Sequence, residues 1–244
     1  MFFNIILSGG NMGKKDYYIV EKNIHKITRG EHTNFLDPST YKQVCSRLKG
    51  YKYNTYIPYE DSDKLIIYTK EIPHIRLLEI ITYDKLTHKQ ILGSLYGLNI
   101  ASELFGDIII TNNHYYIIIM NDIYDLFIKD YNMVGNSHIK LQEVPLSILK
   151  NYQRQYQEIT LIVSSLRIDT VVSKLINASR DSIKNKFYND EIILNYEPCH
   201  KLTYKLNEED IFSIRKYGKY KFIGVINSSK KGNYIIKCYK YIDN

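Results

Sequence analysis

Apolar positions along the chain switch between helical and strand spacing, and this pattern divides it into three predicted units. The first unit, over residues 1–72, is a small α/β unit that begins with helical spacing at 17–27. Asp37 then precedes a proline, which is the arrangement of a helix cap followed by Pro at the first helical position. That helix is expected to end before Gly50, and we predict strands at 53–58 and 65–69.

The second unit, over residues 73–148, is predicted to have the order β-α-β-β-α-β. This order is typical of the ferredoxin-like arrangement, which RNA-recognition modules also use. We expect Thr87 and Asp122 to cap the two helices and the pair Asn112-Asn113 to form the turn between the central strands. The aromatic signature of RNA-recognition modules is missing from both central strands, so the order alone is weak support for a function.

The third unit follows a polar, Gln-rich run, which we interpret as a linker over residues 149–160. Residues 161–244 are called the tail below, and their pattern of apolar positions predicts two short helices and then a set of strands. The first helix, over 167–176, turns Ile168, Val171, Val172 and Leu175 inward. The fold class is therefore predicted to be α+β.

Charge is distributed unevenly between these units. Residues 164–240 contain 15 Lys and Arg against 8 Asp and Glu, a net charge of +7. The net charge of the whole chain is also +7, so the positive and negative side chains of the remaining residues are equal in number. A basic surplus confined to one small unit is typical of a protein that binds a polyanion. We therefore predict that the chain binds RNA through its tail.

Other features narrow the class of protein. Three scattered cysteines and seven scattered histidines show no metal-ligand spacing, so we expect no metal, no cofactor and a reducing, cytoplasmic compartment. The apolar start is too short for a membrane span and lacks the basic residues of a signal peptide. We hypothesise that Met12 is the native start and that residues 1–11 are an annotation artefact.

The tail helices supply the first candidate site. Ser179 is a good cap for the second helix, and Arg180 and Lys184 are four residues apart on one face. A helix N-terminus beside two cations suits a phosphate. The simpler alternative is a solvated helix face. Tyr217 and Tyr220 either stack on bases or fill the core, and Tyr220 is favoured for the core.

Several motifs of the tail resemble the alpha-L RNA-binding domain, named after ribosomal protein S-four. They are Leu166-Arg167-Ile168-Asp169, Ser179-Arg180, Asn195, Asp210 and Arg215-Lys216-Tyr217-Gly218-Lys219-Tyr220. Further motifs resemble the YlmH family: Phe35-Leu36-Asp37-Pro38, His88-Lys89-Gln90-Ile91-Leu92-Gly93, Gly106-Asp107-Ile108 and Val134-Gly135. The resemblance extends from about residue 15 to 240, and it implies that residues 73–148 form a ferredoxin-like RNA-binding domain that adds a second RNA surface. It implies RNA contact by Ser165, Arg167, Ser179, Arg180, Lys184, Asn195, Arg215, Lys216 and Lys219.

This resemblance implies a non-catalytic factor that binds ribosomal RNA of the large subunit, with tRNA or peptidyl-tRNA, in ribosome-associated quality control. We expect it to act as a monomer that does not bind a membrane. The alternative is an RNA-modifying or tRNA-charging enzyme with the same tail, because Leu166-Arg167-Ile168-Asp169 resembles a pseudouridine-synthase motif superficially. No Gly-rich phosphate loop or paired catalytic carboxylates accompany it.

Overall fold

The structure is a computed structural model, and it describes residues 14–112 and 114–242. The hypothesis about residues 1–11 and Met12 lies outside this range, as does Asn113 of the predicted turn. The side chain of Arg180 also lies outside the described part of the chain.

The N-terminal unit packs two helices beside a short two-stranded sheet. Its elements are α1 (Lys14–Thr28), α2 (Pro38–Arg47), β1 (Asn54–Tyr56) and β2 (Ile66–Tyr68). Asp37 caps α2 as predicted, since its Oδ1 accepts the Thr40 N–H at 2.9 Å. The helices and β2 bury a small core of Val20, Ile27, Leu36, Val44, Leu48 and Ile67. This core orients the helices against the sheet.

The middle unit is built on a four-stranded antiparallel sheet with the order β4-β5-β3-β8. Its elements are β3 (Ile75–Ile81), α3 (His88–Gly97), β4 (Phe105–Thr111), β5 (His114–Met120), α4 (Tyr124–Asp130), β6 (Met133–Val134), β7 (Ser137–His138) and β8 (Lys140–Val144). Thr87 caps α3 as predicted, and it forms a reciprocal capping box with Gln90. The predicted helix and strand sequence is thus present, with the β6–β7 hairpin added.

The predicted cap at Asp122 is wrong. This residue lies inside a 3₁₀ turn, Asn121–Ile123, and α4 begins at Tyr124 without a side-chain cap bond. The reason is geometric, because β5 runs directly into the 3₁₀ turn and leaves no extended residue where Asp122 could cap.

Both faces of the middle sheet are buried. One face packs on α3 and α4 through residues such as Leu78, Ile117 and Ile119. The opposite face carries Leu77 and Ile118, which pack in a second core with residues of the N-terminal unit and of the 3₁₀ segment Leu146–Asn151. The N-terminal unit therefore covers the face that RNA-recognition modules use to stack bases.

The tail is a six-stranded antiparallel sheet with two helices on one face. Its elements are β9 (Tyr156–Val163), α5 (Ile168–Ile176), α6 (Arg180–Tyr188), β10 (Ile192–Leu194), β11 (Glu197–Pro198), β12 (Ile211–Ile214), β13 (Gly218–Ser228) and β14 (Tyr234–Tyr241). The sheet order is β11-β10-β12-β13-β14-β9. The predicted inward residues Ile168, Val171 and Val172 of α5 are fully buried, which holds both helices against the sheet.

The predicted linker over 149–160 is wrong in part. Residues 149–151 end a 3₁₀ segment, and β9 already begins at Tyr156. The cause is the alternation of the inward residues Ile159, Leu161 and Val163 with outward residues, polar Thr160 and exposed Ile162, which is the pattern of a half-buried strand. All eight residues of β9 pair with β14, so the sheet of the tail begins inside the predicted linker.

Candidate nucleic-acid interface

The N-terminal end of α6 has the predicted capped form. Ser179 has extended backbone angles, and its Oγ accepts the Ser182 N–H at 3.3 Å. Arg180 is the first residue of the helix. The side chain of Lys184 is 55% exposed, and its Nζ lies 3.6 Å from Asp181 Oδ1. An exposed pair of this kind is weak, so Lys184 can exchange Asp181 for a phosphate.

The entry to α5 holds its polar side chains in local contacts. Ser165 Oγ lies 3.2 Å from Thr170 Oγ1. The guanidinium of Arg167 donates through Nε to Asp169 Oδ1 at 3.1 Å. Arg167 remains partly exposed beside this carboxylate. A phosphate would therefore compete with Asp169 for this arginine.

Asn195 has a structural role. Its backbone is left-handed, with φ at 48°, a conformation that asparagine tolerates. The side-chain amide donates to Asp210 Oδ1 at 2.8 Å, and the side-chain oxygen accepts the Ile211 N–H at 3.0 Å. Both ends of the amide are therefore bonded to residues at the start of β12.

The three cations predicted to bind RNA at the turn between β12 and β13 have different surroundings. Arg215 and Lys216 are exposed, and among the described residues no carboxylate lies within 4.0 Å of either charged group. Lys219 differs, because its Nζ lies 3.0 Å from Asp63 Oδ2 and 3.2 Å from the Tyr196 hydroxyl. It also lies 4.5 Å from the centroid of the Tyr241 ring. Lys219 thus faces the N-terminal unit.

Asp63, Arg154 and Lys219, the ion cluster below, join the N-terminal unit to the tail. Arg154 Nη1 donates to Asp63 Oδ2 at 2.7 Å, and the Tyr196 hydroxyl donates to Asp63 Oδ1 at 2.9 Å. Burial alone would raise the pKa of Asp63, but the charges of Lys219 and Arg154 outweigh burial and hold the pKa below its ordinary value. Asp63 is therefore a carboxylate in the folded protein.

A second carboxylate, Asp107, supports the loop that carries Asp63. Its Oδ2 accepts hydrogen bonds from the Tyr59 hydroxyl at 2.7 Å, from Ser62 Oγ at 3.0 Å and from the Asp63 N–H at 2.9 Å. Burial, with the nearby charge of Asp63, raises the pKa of Asp107. The loop that presents Asp63 is thereby fixed to β4.

Sequence reasoning missed the ion cluster. Arg154 lies in the polar run that we interpreted as a linker, and Asp63 lies in a surface-like acidic loop. Nothing in either local pattern indicates a partner more than 60 residues away. The one available signal was the strand alternation just after Arg154, which indicates that this arginine enters a sheet.

The middle unit is poorly suited to a polyanion by charge. Residues 73–148 contain 5 Lys and Arg against 8 Asp and Glu, a net charge of −3. Its sheet has both faces buried. The exposed cations of the tail therefore form the better candidate interface.

Within residues 14–112 and 114–242, no group of three or more His, Cys, Asp or Glu is placed to hold a metal ion. No described helix has the length and apolar character needed to cross a membrane.

Comparison with known proteins identifies a relative of the middle unit. Residues 73–148 match the family model described as "Putative RNA-binding domain in YlmH". The middle unit matches the YlmH family. The chain is also 24% identical over 187 residues to "Ribosome-associated protein quality control protein P2" of Bacillus subtilis (strain 168), which covers 77% of this chain and 70% of that protein. The first similarity relates the middle unit to YlmH proteins, and the second relates most of the chain to a ribosome-associated quality-control protein.

A solved structure gives a further likeness. It is "Cell division protein ylmH from Streptococcus pneumoniae", with 20% identity and a TM-score of 0.49 over 59% of this chain and 99% of that one. A TM-score at this level does not establish a shared fold, so the relationship to YlmH proteins rests on the sequence matches. The matched family model ends at residue 148, before the tail begins.

Proposed function

We propose that this chain is a non-catalytic RNA-binding factor of ribosome-associated quality control. It binds ribosomal RNA on the large subunit, together with peptidyl-tRNA, and so takes part in the rescue of stalled translation. In this proposal the middle unit is a ferredoxin-like domain, the tail is an alpha-L RNA-binding domain, and the factor acts as a cytoplasmic monomer. The relative named for ribosome-associated quality control supports the setting.

One observation carries the RNA-binding part of the proposal. Residues 164–240 of the tail carry a net charge of +7, and there Lys184, Arg215 and Lys216 present their charges at the surface. Phosphate contacts supply most of the affinity of proteins that bind RNA without reading its sequence. The tail is the unit with the charge for such contacts.

The middle unit has a supporting role in this mechanism. Its sheet is packed on both faces, and it is acidic. It holds the N-terminal unit, whose Asp63 in turn holds Lys219 of the tail. In this proposal the N-terminal unit and the middle unit orient the tail, and the tail contacts the RNA.

The experiment that tests this function is co-sedimentation of the pure protein with separated ribosomal subunits across a salt series. We expect binding to the large subunit that falls steeply with salt. The double variant Arg180→Glu with Lys184→Glu should weaken binding by roughly tenfold and flatten the salt dependence. The matched control is Lys129→Glu with Lys140→Glu, which makes the same charge change on exposed lysines of the middle unit.

The outcomes separate the alternatives. Equal loss of binding in both double variants would mean that net charge, rather than the tail, governs association. Binding to neither subunit, with tight binding to free tRNA, would contradict the ribosomal role and favour the tRNA-charging or RNA-modifying enzyme.

A further inference from the structure

An open cleft of about 900 Å³ lies beside the β12–β13 turn. The turn 215–218 and the end of β14 form its walls, and the residues that follow α6 lie opposite. Among its lining residues are Asp190, Glu191, Arg215, Lys216, Tyr217 and Lys240. We call this space the basic cleft.

The charges of the basic cleft are unbalanced. Within the described chain, no carboxylate lies within 4.0 Å of the charged groups of Arg215, Lys216 or Lys240. Of the two carboxylates in the lining, Glu191 accepts a hydrogen bond from Lys186 Nζ at 2.7 Å. This hydrogen bond, together with the more distant charges of Arg215 and Lys216, lowers the pKa of Glu191. Asp190 lies 3.7 Å from the His200 ring. Among the residues that the structure describes, these three cations make no ion-pair contact, so an anion from outside can approach them.

Gly218 shapes the wall that Lys240 follows. A Cβ added at this glycine would lie 3.1 Å from Lys240 Cε, and its φ of 115° excludes most side chains. The absence of a side chain at 218 lets the lysine stem run along the turn to the cleft. The approach of Lys240 thus depends on a glycine in the turn.

Lys216 occupies a backbone position that favours glycine. Its φ is 72°, in the left-handed region, where a lysine is strained. Residues with strained backbone angles are concentrated at the functional sites of proteins. Here the residue kept at the strained position is a cation that lines the basic cleft.

Tyr217 presents an aromatic ring at the same place. It is 41% exposed, whereas Tyr220 is 4% exposed and packs in the core. The Tyr220 hydroxyl donates to the Tyr217 carbonyl at 3.0 Å, which fixes the backbone of the turn. Lys186 Nζ lies 5.4 Å from the centroid of the Tyr217 ring. The ring is therefore held in place and remains accessible.

We propose that the basic cleft binds one unpaired nucleotide of the RNA, with its phosphate among Arg215, Lys216 and Lys240 and its base against the ring of Tyr217. This inference rests on the proposed function, in which the tail binds RNA. The arginine offers a planar fork to phosphate oxygens, and the lysines add compact charges. A tyrosine can stack on a base only when the base is not already stacked in a duplex.

The experiment compares two RNA probes with the full-length protein. One probe is a single-stranded oligouridylate of 12 nucleotides, and the other is a blunt RNA duplex of 12 base pairs. The variants are Tyr217→Leu, Lys240→Gln and Lys216→Gly. The last removes a charge at a position whose backbone angles suit glycine, so weaker binding would not come from a damaged turn. The matched control is Lys221→Gln, a neighbouring lysine of β13 that pairs with Glu209.

We expect Tyr217→Leu to weaken oligouridylate binding at least about fivefold and to leave duplex binding unchanged. Lys216→Gly and Lys240→Gln should each reduce the slope of log affinity against log salt by about 0.7. Lys221→Gln should match the wild type. Wild-type binding of oligouridylate by all three cleft variants would overturn the inference while leaving the proposed function intact. Failure of the wild-type protein to bind either probe would instead count against RNA binding by the tail.

Discussion

The ammonium of Lys219 lies 3.0 Å from the carboxylate of Asp63, across 156 residues of sequence. Motif and charge had placed this lysine among the RNA-binding residues. In the structure it contacts the N-terminal unit together with Arg154. A partly buried ion cluster thus joins the N-terminal unit to the tail. Of the three cations predicted to bind RNA in the basic turn, Arg215 and Lys216 are the exposed ones.

Removing the carboxylate of the ion cluster should destabilise the protein. Asp63→Ala removes the carboxylate that Lys219 and Arg154 share and leaves Arg154 only the more distant Asp107 at 3.9 Å, and such losses cost about 3 kcal/mol. Urea unfolding should show this loss in the free energy of unfolding. The control is Asp181→Ala, which removes a carboxylate that is 92% exposed and should change the free energy by less than about 0.5 kcal/mol. A similar, small effect of both variants would show that the ion cluster does not stabilise the fold.

The stability contributed by Asp63 should depend on pH at the acid end. Its pKa in the folded protein lies below the ordinary value of 3.8, because Lys219 and Arg154 outweigh the effect of burial. The unfolded state then binds more protons as the pH falls. The contribution is complete above about pH 5 and is lost as the pH falls through the folded pKa. Unfolding measured from pH 6 to pH 3 should therefore show a smaller loss for Asp63→Asn than for the wild type, and parallel curves would refute this.

Lys219 and Lys216 should separate stability from RNA binding. Lys219→Met removes a charge from the ion cluster, so we expect a lower free energy of unfolding and a small change in RNA affinity. Lys216→Gly should do the reverse, because it removes an exposed charge and relieves a left-handed lysine. Thermal unfolding and RNA titration of both variants measure the two effects. An equal loss of RNA affinity in the Lys219→Met and Lys216→Gly variants would contradict this and indicate that Lys219 also contacts the RNA.

Substitution of two glycines by alanine should change the stability of the protein in opposite directions. A Cβ at Gly106 would lie 3.0 Å from Phe35 Cε1 and 3.1 Å from Ile118 Cβ, where the N-terminal unit covers the middle sheet. Gly106→Ala should destabilise by about 1–3 kcal/mol. A Cβ at Gly93, within α3, would meet nothing within 4 Å. Gly93→Ala should stabilise by about 0.5–1 kcal/mol. Denaturant midpoints that move in the same direction for both would contradict this packing.

Local signals in the sequence were sufficient for many elements. Asp37 before a proline and Thr87 three residues before Gln90 each predict a helix start, and the structure has both caps. These caps are interactions over three residues, so the local sequence contains all of their parts. The helical spacing of Ile168, Val171 and Val172 likewise predicts the buried face of α5.

Long-range contacts could not be predicted in this way. The polar residues of β9 indicate a linker until β14 supplies eight partners from more than 70 residues away. The charge of Lys219 indicates an anion, but its local sequence does not distinguish a phosphate from Asp63. The buried second face of the middle sheet depends on packing by Phe35 and Tyr59 from another unit. Such facts arise only when distant segments meet.

We infer that the tail makes the main contacts with the RNA, although the middle unit matches the model of a putative RNA-binding domain. The most direct test is ultraviolet cross-linking of the full-length protein to the large ribosomal subunit, followed by mass spectrometry of the cross-linked peptides. We predict RNA-linked peptides from residues 164–240, with Tyr217 among the linked positions. RNA-linked peptides confined to residues 73–148 would contradict it.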